Sequence, residues 1–310
     1  MEPYRYDILC TGTALVDSII RGLDPNPVSP TGFRADSGTL NVGGEAVNEA
    51  VAAARLGART GILCYLGEDA AGGMVKDLLD AAGVSTDAIA REAATPVSTL
   101  LVNMDGTRRS ITNGAHRHNF HPERFGETLS KARAVTLGSL FRAPYDDPEV
   151  LHDTIMAAGD AVIFADTKLP NFRRLTLADV ADSLKLVDYI LPNEDEARFY
   201  TGEDDPDAQA DALLAHGVKN VIIKLGTKGC LLKNATGRIR LDSLPVRAVD
   251  ATGAGDQFLA GFATELLRGA GQEEALRFAN ACGAICCTAI GACTALRSRE
   301  QVLDLLKTYA

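Results

Sequence analysis

Short apolar runs alternate with amphipathic ones along most of the chain. Residues 8–10, 61–66, 134–137, 161–165, 188–191 and 221–224 read as buried strands, because each is a brief run of Val, Ile, Leu, Cys, Ala or aromatic residues. Between them, residues 46–56, 70–82, 148–158, 177–184, 207–216 and 273–288 place apolar side chains at helical spacing. Strand and helix in alternation predict βαβ units and an α/β fold, with a central, mostly parallel sheet covered on both faces. Ligands of such a sheet gather at the carboxyl ends of its strands. Two stretches break the rhythm, 19–41 and 96–112, which are rich in Gly, Pro, Thr and Ser. In the second, 98–103 and 107–111 flank Asp105-Gly106, a hairpin signal. Both stretches are expected to form antiparallel strands standing off the main sheet as a lid, with surface decoration as the alternative. No internal repeat is visible.

Composition narrows the function classes. At 310 residues and 46% hydrophobic content the chain can bury a full core, and one large domain is expected over 1–310. A net charge of -10 with no polybasic run argues against nucleic acid and anionic membrane as partners. No stretch reaches the roughly 18 apolar residues of a spanning helix, and the first residues lack the apolar core of a signal peptide, so a soluble cytoplasmic protein is expected. Seven cysteines cannot all pair, and reduced thiols fit best. Cys282, Cys286, Cys287 and Cys293 match no zinc spacing and read as small buried hydrophobes. His116, His118 and His121 lie in a polar segment without an obvious fourth ligand, so metal binding is set aside there.

The chemistry concentrates near the end of the chain. Val249-Asp250-Ala251-Thr252-Gly253-Ala254-Gly255-Asp256 runs directly into a helical pattern at 257–267. Gly253 and Gly255 permit a tight turn whose amides face a ligand at a helix start, which is a ready anion site. Asp256 sits where phosphate would repel it, so its best use is to take a proton from a hydroxyl attacking that phosphate. Gly43-Gly44 precedes a helix of small residues that carries Asn48, a donor and acceptor suited to a polyol, although a Gly-Gly loop alone is also plain structure. Asn193 and Glu196 have the spacing of a capping box after the strand ending at Leu191. Lys224-Leu225-Gly226-Thr227-Lys228-Gly229 follows another strand, with glycines where a nucleotide can lie against backbone. There is no G-x4-G-K-[ST], no D-F-G with H-R-D, and Phe258 stands where a dinucleotide fingerprint needs glycine; P-loop, protein-kinase and Rossmann readings fall away.

Two motifs at opposite ends, 41–58 with Gly43-Gly44 and Asn48, and 250–261, make the chain resemble the ribokinase-like (PfkB-type) carbohydrate kinases over essentially its whole length. The resemblance implies a three-layer ribokinase-like fold with a small β lid at about 14–41 and 96–113, and an ATP-dependent kinase acting on a hydroxyl of a sugar or sugar-like small molecule. By the same resemblance Asp256 matches the general base, and Gly253, Ala254 and Gly255 match the anion hole. Asp17, Gly43, Gly44 and Asn48 match acceptor contacts, and Lys224, Gly226, Gly229 and Asn280 match the nucleotide side. Asn193 and Glu196 match a motif associated with phosphate and Mg²⁺. Asp250 and Thr252, with backbone near Cys286, Ala289 and Gly291, match a monovalent-cation (K⁺) site. A homodimer paired through the lid is expected. Leu15, Glu45 and the lack of an acidic residue at 140–142 depart from ribokinases and place ribose in doubt. A ketose, a keto-deoxy acid or a nucleoside stays open as acceptor, as does a catalytically idle sugar sensor.

Overall fold

Strand β1 (Tyr6–Thr11) begins the main sheet with alternating sides, Ile8 and Cys10 joining one core and Leu9 the other, while Tyr6 at the strand start joins the second core out of alternation. The computed structural model describes residues 4–24, 32–92, 94–113 and 119–309. Strands β2 (Leu15–Leu23) and β3 (Ser37–Gly43) then leave the main sheet, and helix α1 (Glu45–Arg55) leads back to β4 (Thr60–Leu63) at its edge. Strand β5 (Tyr65–Gly67) follows, then α2 (Ala70–Ala82), and β6 (Ala90–Glu92), which pairs with β5 in a two-stranded sheet of its own. Strands β7 (Val97–Asn103) and β8 (Arg108–Thr112) join β2 and β3, and after α3 (Gly126–Leu129) the main sheet resumes with β9 (Ala132–Leu140). Its later units are α4 (Pro148–Ala157), β10 (Val162–Thr167), α5 (Ala181–Leu184), β11 (Tyr189–Leu191), α6 (Glu194–Thr201), α7 (Pro206–Ala215) and β12 (Asn220–Lys224). The antiparallel pair β13 (Cys230–Asn234) and β14 (Gly237–Leu241) closes one edge, and α8 (Ala254–Leu267), α9 (Gln272–Cys286) and α10 (Arg299–Thr308) finish the chain.

The main sheet runs β14-β13-β12-β11-β10-β9-β1-β4, parallel from β12 to β4. Alternation along each strand feeds two apolar cores. Ile222 packs with α1, α8 and α9 on one face, while Val221 and Ile223 pack with α4 and α7 on the other. Helix starts follow local chemistry: Asp147 and Asp205 accept backbone amides ahead of Pro148 and Pro206, whose fixed φ suits the first helical position. Among the described residues, no helix is long and apolar enough to cross a membrane.

The structure revises several sequence expectations. The run 61–66 is two strands in different sheets, broken at Cys64, whose carbonyl accepts the Ala90 amide. Residues 177–184 form a 3₁₀ turn and one helical turn instead of a continuous helix. The second sheet runs β3-β2-β7-β8, with the Asp105-Gly106 hairpin between β7 and β8, but its central pair β2/β7 is parallel. Strand β2 enters this sheet from β1 and folds back as β3, while β7 enters it from β6 and folds back as β8. His116 and His118 lie outside the described residues, and His121 bonds Glu123 at 2.9 Å.

Candidate active site

The turn before α8 works only as glycine. Gly253 has φ 79°, and a Cβ there would lie 2.3 Å from the Ala292 Cβ. Among the described residues no side chain caps α8, and although the Ala254 amide donates to the Ala251 carbonyl at 3.2 Å, the neighbouring amides of the turn are open to a ligand. Gly253, Ala254, Gly255 and Asp256 all border a 580 Å³ cavity at the carboxyl end of the main sheet. Asp256 is 5% exposed; the Asn48 amide donates to its Oδ2 at 2.7 Å, and the Lys168 ammonium lies 3.9 Å from Oδ1. Burial pushes the Asp256 carboxyl up to about 6, with Asp166 and Glu45 adding to the rise and Lys168 and Asn48 opposing it.

Beneath Asp256 lies a charged cluster that the strand ends assemble. Asp166, fully buried near the end of β10, accepts from Lys168 at 3.2 Å on one oxygen and from Lys224 on the other. Burial opposes its ionisation, but the two ammonium groups outweigh that cost and hold its pKa below the usual value. Burial likewise opposes the charge on Lys168, and Asp166, Asp256, Glu45 and Glu196 overcome it, leaving the lysine firmly protonated. Glu49, also fully buried, accepts from the Thr136 hydroxyl, and burial together with the Asp256 charge pushes its pKa well above the usual range. Burial thus disfavours the charged form of Glu49, whose carboxyl oxygen lies within 4.8 Å of those of Asp256 and Asp166.

The second sheet brings the polyol-type residues to the same place. Gly43 ends β3, and the Asp17 carboxylate on β2 would lie 2.7 Å from a Cβ added there. Gly44, at φ 100°, starts α1 so close to the Thr13 carbonyl that a Cβ would approach it to 2.3 Å. Four residues further on, Asn48 is held from both sides: the Cys293 thiol donates to its Oδ1 at 3.3 Å while its amide nitrogen serves Asp256. Cys293 is thus more than the apolar filler its sequence suggests. Ser139 and Phe141, with φ 68° and 74°, bend the end of β9 nearby, and Arg142 stands where an acidic ligand was missed, its guanidinium donating to the Leu169 carbonyl at 2.7 Å.

Asn193, Lys224, Gly226, Gly229 and Asn280 line the other side of the cavity, as the strand-end positions suggest. Asn193 and Glu196 form the capping box: Asn193 Oδ1 accepts the Glu196 amide at 2.9 Å and Glu196 Oε2 accepts the Asn193 amide at 3.0 Å. The same Oε2 accepts the Thr167 hydroxyl at 2.9 Å, and burial raises the Glu196 pKa. Asn280 donates to the Asp242 carbonyl at 2.7 Å. Nearby, Asp250 Oδ1 accepts the Thr252 amide and hydroxyl, Oδ2 accepts the Gly291 amide at 3.0 Å, and the Cys286 thiol donates to the Thr252 carbonyl at 3.4 Å. Ala289 lies on the same segment, between Cys286 and Gly291.

Asp166 and Lys168 escape a reading by motif, although a charged Asp-Thr-Lys placed directly after the apolar run 161–165 is a usable signal. Glu49 and Cys293 carry no local signal, since helix spacing and an apolar context hide them.

A helix start without a side-chain cap, beside a buried carboxylate, is suited to phosphoryl transfer to a small hydroxylic molecule. Residues 7–299 match the pfkB family carbohydrate kinase, and the chain belongs to that family. It is 28% identical over 273 residues to the ribokinase of Haemophilus influenzae, covering 86% of this chain and 87% of that protein. It is 29% identical over 328 residues to the probable fructokinase-7 of Arabidopsis thaliana, covering 97% and 92%. The solved structure of Arabidopsis thaliana ribokinase complexed with ribose and ATP superposes with a TM-score of 0.85 at 27% identity, covering 97% of this chain and 99% of that one. The fold is ribokinase-like, and the protein is a carbohydrate kinase.

Proposed function

We propose that this enzyme transfers the γ-phosphoryl group of ATP to a hydroxyl of a sugar or sugar-like molecule, with Asp256 as general base. The position of the Asp256 carboxylate, buried at the α8 start beside 253–255 and bonded to Asn48, carries the proposal. Asp256 accepts the hydroxyl proton as the acceptor oxygen bonds to phosphorus and the bond to ADP breaks. The amides of Gly253 and Gly255 stabilise the charge on the moving group, with Ala254 between them held in the turn by its own bond to the Ala251 carbonyl. Asp17, Gly43, Gly44 and Asn48 hold the acceptor under the second sheet, which acts as a lid; Asn193, Lys224, Gly226, Gly229 and Asn280 hold the nucleotide.

The residues fit the implied ions. Glu196 is engaged by two donors on one oxygen, so it would hold Mg²⁺ indirectly, through water, and Mg²⁺ would neutralise phosphate charge. Asp250 with the carbonyls near Thr252, Cys286, Ala289 and Gly291 is an all-oxygen set suited to a hard cation such as K⁺. The enzyme works in the cytoplasm, which its free thiols suit.

Leu15 and Glu45 argue against ribose: a sugar hydroxyl placed against Leu15 would go unpaired at a cost of roughly 1–3 kcal/mol, and Glu45 reverses the charge expected at its position. An ADP-release screen of ketoses, aldoses, sugar acids and nucleosides, with and without K⁺, is the test. Turnover with nucleosides alone would reassign the acceptor class, and no ADP release with any compound would leave an idle sensor.

Ionised Asp256 is required for proton transfer, so kcat should fall as pH drops through about 6. The sign for stability is opposite. A folded-state pKa above the unfolded value of 3.8 means the folded chain binds this proton more tightly, so the Asp256 contribution favours folding at low pH and declines as pH rises from 3.8 through 6. A kcat profile flat from pH 5 to 8 would contradict the assignment.

The lid supports a homodimer. Leu40 and Ile111 are 59% and 65% exposed on one cross-strand row with Ser18 and Thr99, and the outer strands β3 and β8 leave free edges. Light scattering at micromolar concentration should give twice the 32.8 kDa chain mass, and a Leu40→Lys/Ile111→Lys variant should run as a monomer.

A further inference from the structure

The cavity that receives the phosphates has a lopsided set of charges. Among the described residues lining it, the cations are Lys168 and Lys224 and the carboxylate is Asp256. Asp166 holds both ammonium groups in place, one on each of its oxygens, from a fully buried position. That anchor aims the two lysines differently. Lys224 Nζ lies 2.9 Å from where a Cβ on Gly255 would stand, on the nucleotide side of the turn. Lys168 Nζ lies 3.9 Å from Asp256 Oδ1, the oxygen that the Asn48 amide, bonded to Oδ2, does not take. Its ammonium faces Asp166, Asp256, Glu45 and Glu196, a surplus of negative charge that keeps it protonated and close to the base.

We propose that Lys168 is a catalytic residue of the transfer, its ammonium contacting the phosphoryl group in flight from the acceptor side while Lys224 serves the nucleotide side. The proton account stays simple: the hydroxyl proton goes to Asp256, the acceptor oxygen bonds to phosphorus, ADP leaves, and Lys168 remains protonated throughout. A fixed ammonium next to developing phosphate charge is preorganised stabilisation, and it acts in the transition state more than in the ground state. The inference rests on the reading of the chain as an ATP-dependent sugar kinase.

Lys168→Met and Lys168→Arg test it, the second retaining the charge and the pairing with Asp166. With the best acceptor from the screen, Lys168→Met should lose about 10²–10³ in kcat while KM for ATP and for acceptor shifts by less than about threefold, and Lys168→Arg should recover much of the loss. Calorimetry gives a readout apart from turnover. Fluoroaluminate, which mimics the moving phosphoryl group, should tighten binding of ADP with Mg²⁺ at least about tenfold in the wild type and much less in Lys168→Met, with ADP alone bound equally by both. A Lys168→Met enzyme with near-wild-type kcat, one whose loss lies in acceptor KM, or one that keeps the fluoroaluminate effect overturns the role. A wild type that releases no ADP with any acceptor fails the underlying reading instead.

Discussion

Replacing Asp256 with Asn should lower kcat by about 10²–10⁴ while leaving ATP binding within a few-fold of wild type, the scale of a lost general base. The substitution keeps the shape of the side chain. It can still accept from the Asn48 amide, which now reaches Oδ2 at 2.7 Å, and it removes a buried charge whose pKa is already raised to about 6. Folding should therefore be preserved or improved at neutral pH, so a lost rate cannot be blamed on a lost structure. Lys168 would keep Asp166 as a partner, and the anion-binding turn at 253–255 would stay open. Stopped-flow or coupled ADP assays at saturating substrates give kcat, and calorimetry gives the ATP affinity. A variant turning over near the wild-type rate removes Asp256 from the chemistry and with it the proposed mechanism.

Gly253→Ala should damage the fold and the site together. At φ 79° an L-residue costs about 1–2 kcal/mol in backbone strain. The new Cβ would also stand 2.3 Å from the Ala292 Cβ and 2.8 Å from its Cα, and because the second of these is backbone the loop itself must move. Overpacking of that kind adds about 1–3 kcal/mol. The two together predict a loss of about 2–5 kcal/mol in urea denaturation. The shift would also reach chemistry. Ala292 accepts the Gln257 amide at 3.0 Å, and Gln257 also reaches the Asn48 carbonyl, so displacing this loop disturbs the turn, the base and the acceptor residue at once. A further loss of about 10²–10³ in kcat is expected of the folded fraction, as for a misplaced oxyanion donor. Full stability together with full activity would show that the turn tolerates another geometry.

Much of this site was legible before any coordinates. The glycine turn entering an apolar helix predicts an anion site at α8, and Asn193 with Glu196 predicts the capping box that the structure contains. Both are local: the spacing of a few residues fixes which amides and carboxylates meet. The hairpin around Asp105-Gly106 was legible for the same reason. Edge elements were not. Strand β14 and helix α10 fall where polar and apolar residues mix, since each is partly exposed, while β13 offers only the three apolar residues Cys230, Leu231 and Leu232, too short a run to stand out although it feeds both cores. The single run 61–66 misled because uninterrupted apolar character does not reveal which sheet a residue joins.

The sequence alone determined the layer plan, the reaction-bearing turn and the residues at the strand ends, because hydrophobic period and glycine conformation act over a few residues. Only the tertiary structure decided how those pieces act on one another. It set the Asn48 amide on Asp256 across 208 positions of chain, strung Lys168 and Lys224 on one buried carboxylate, and buried the Glu49 carboxyl within 4.8 Å of Asp256, where its charged form is disfavoured. Charge–charge energy depends on distance and burial, and neither is written in the order of residues.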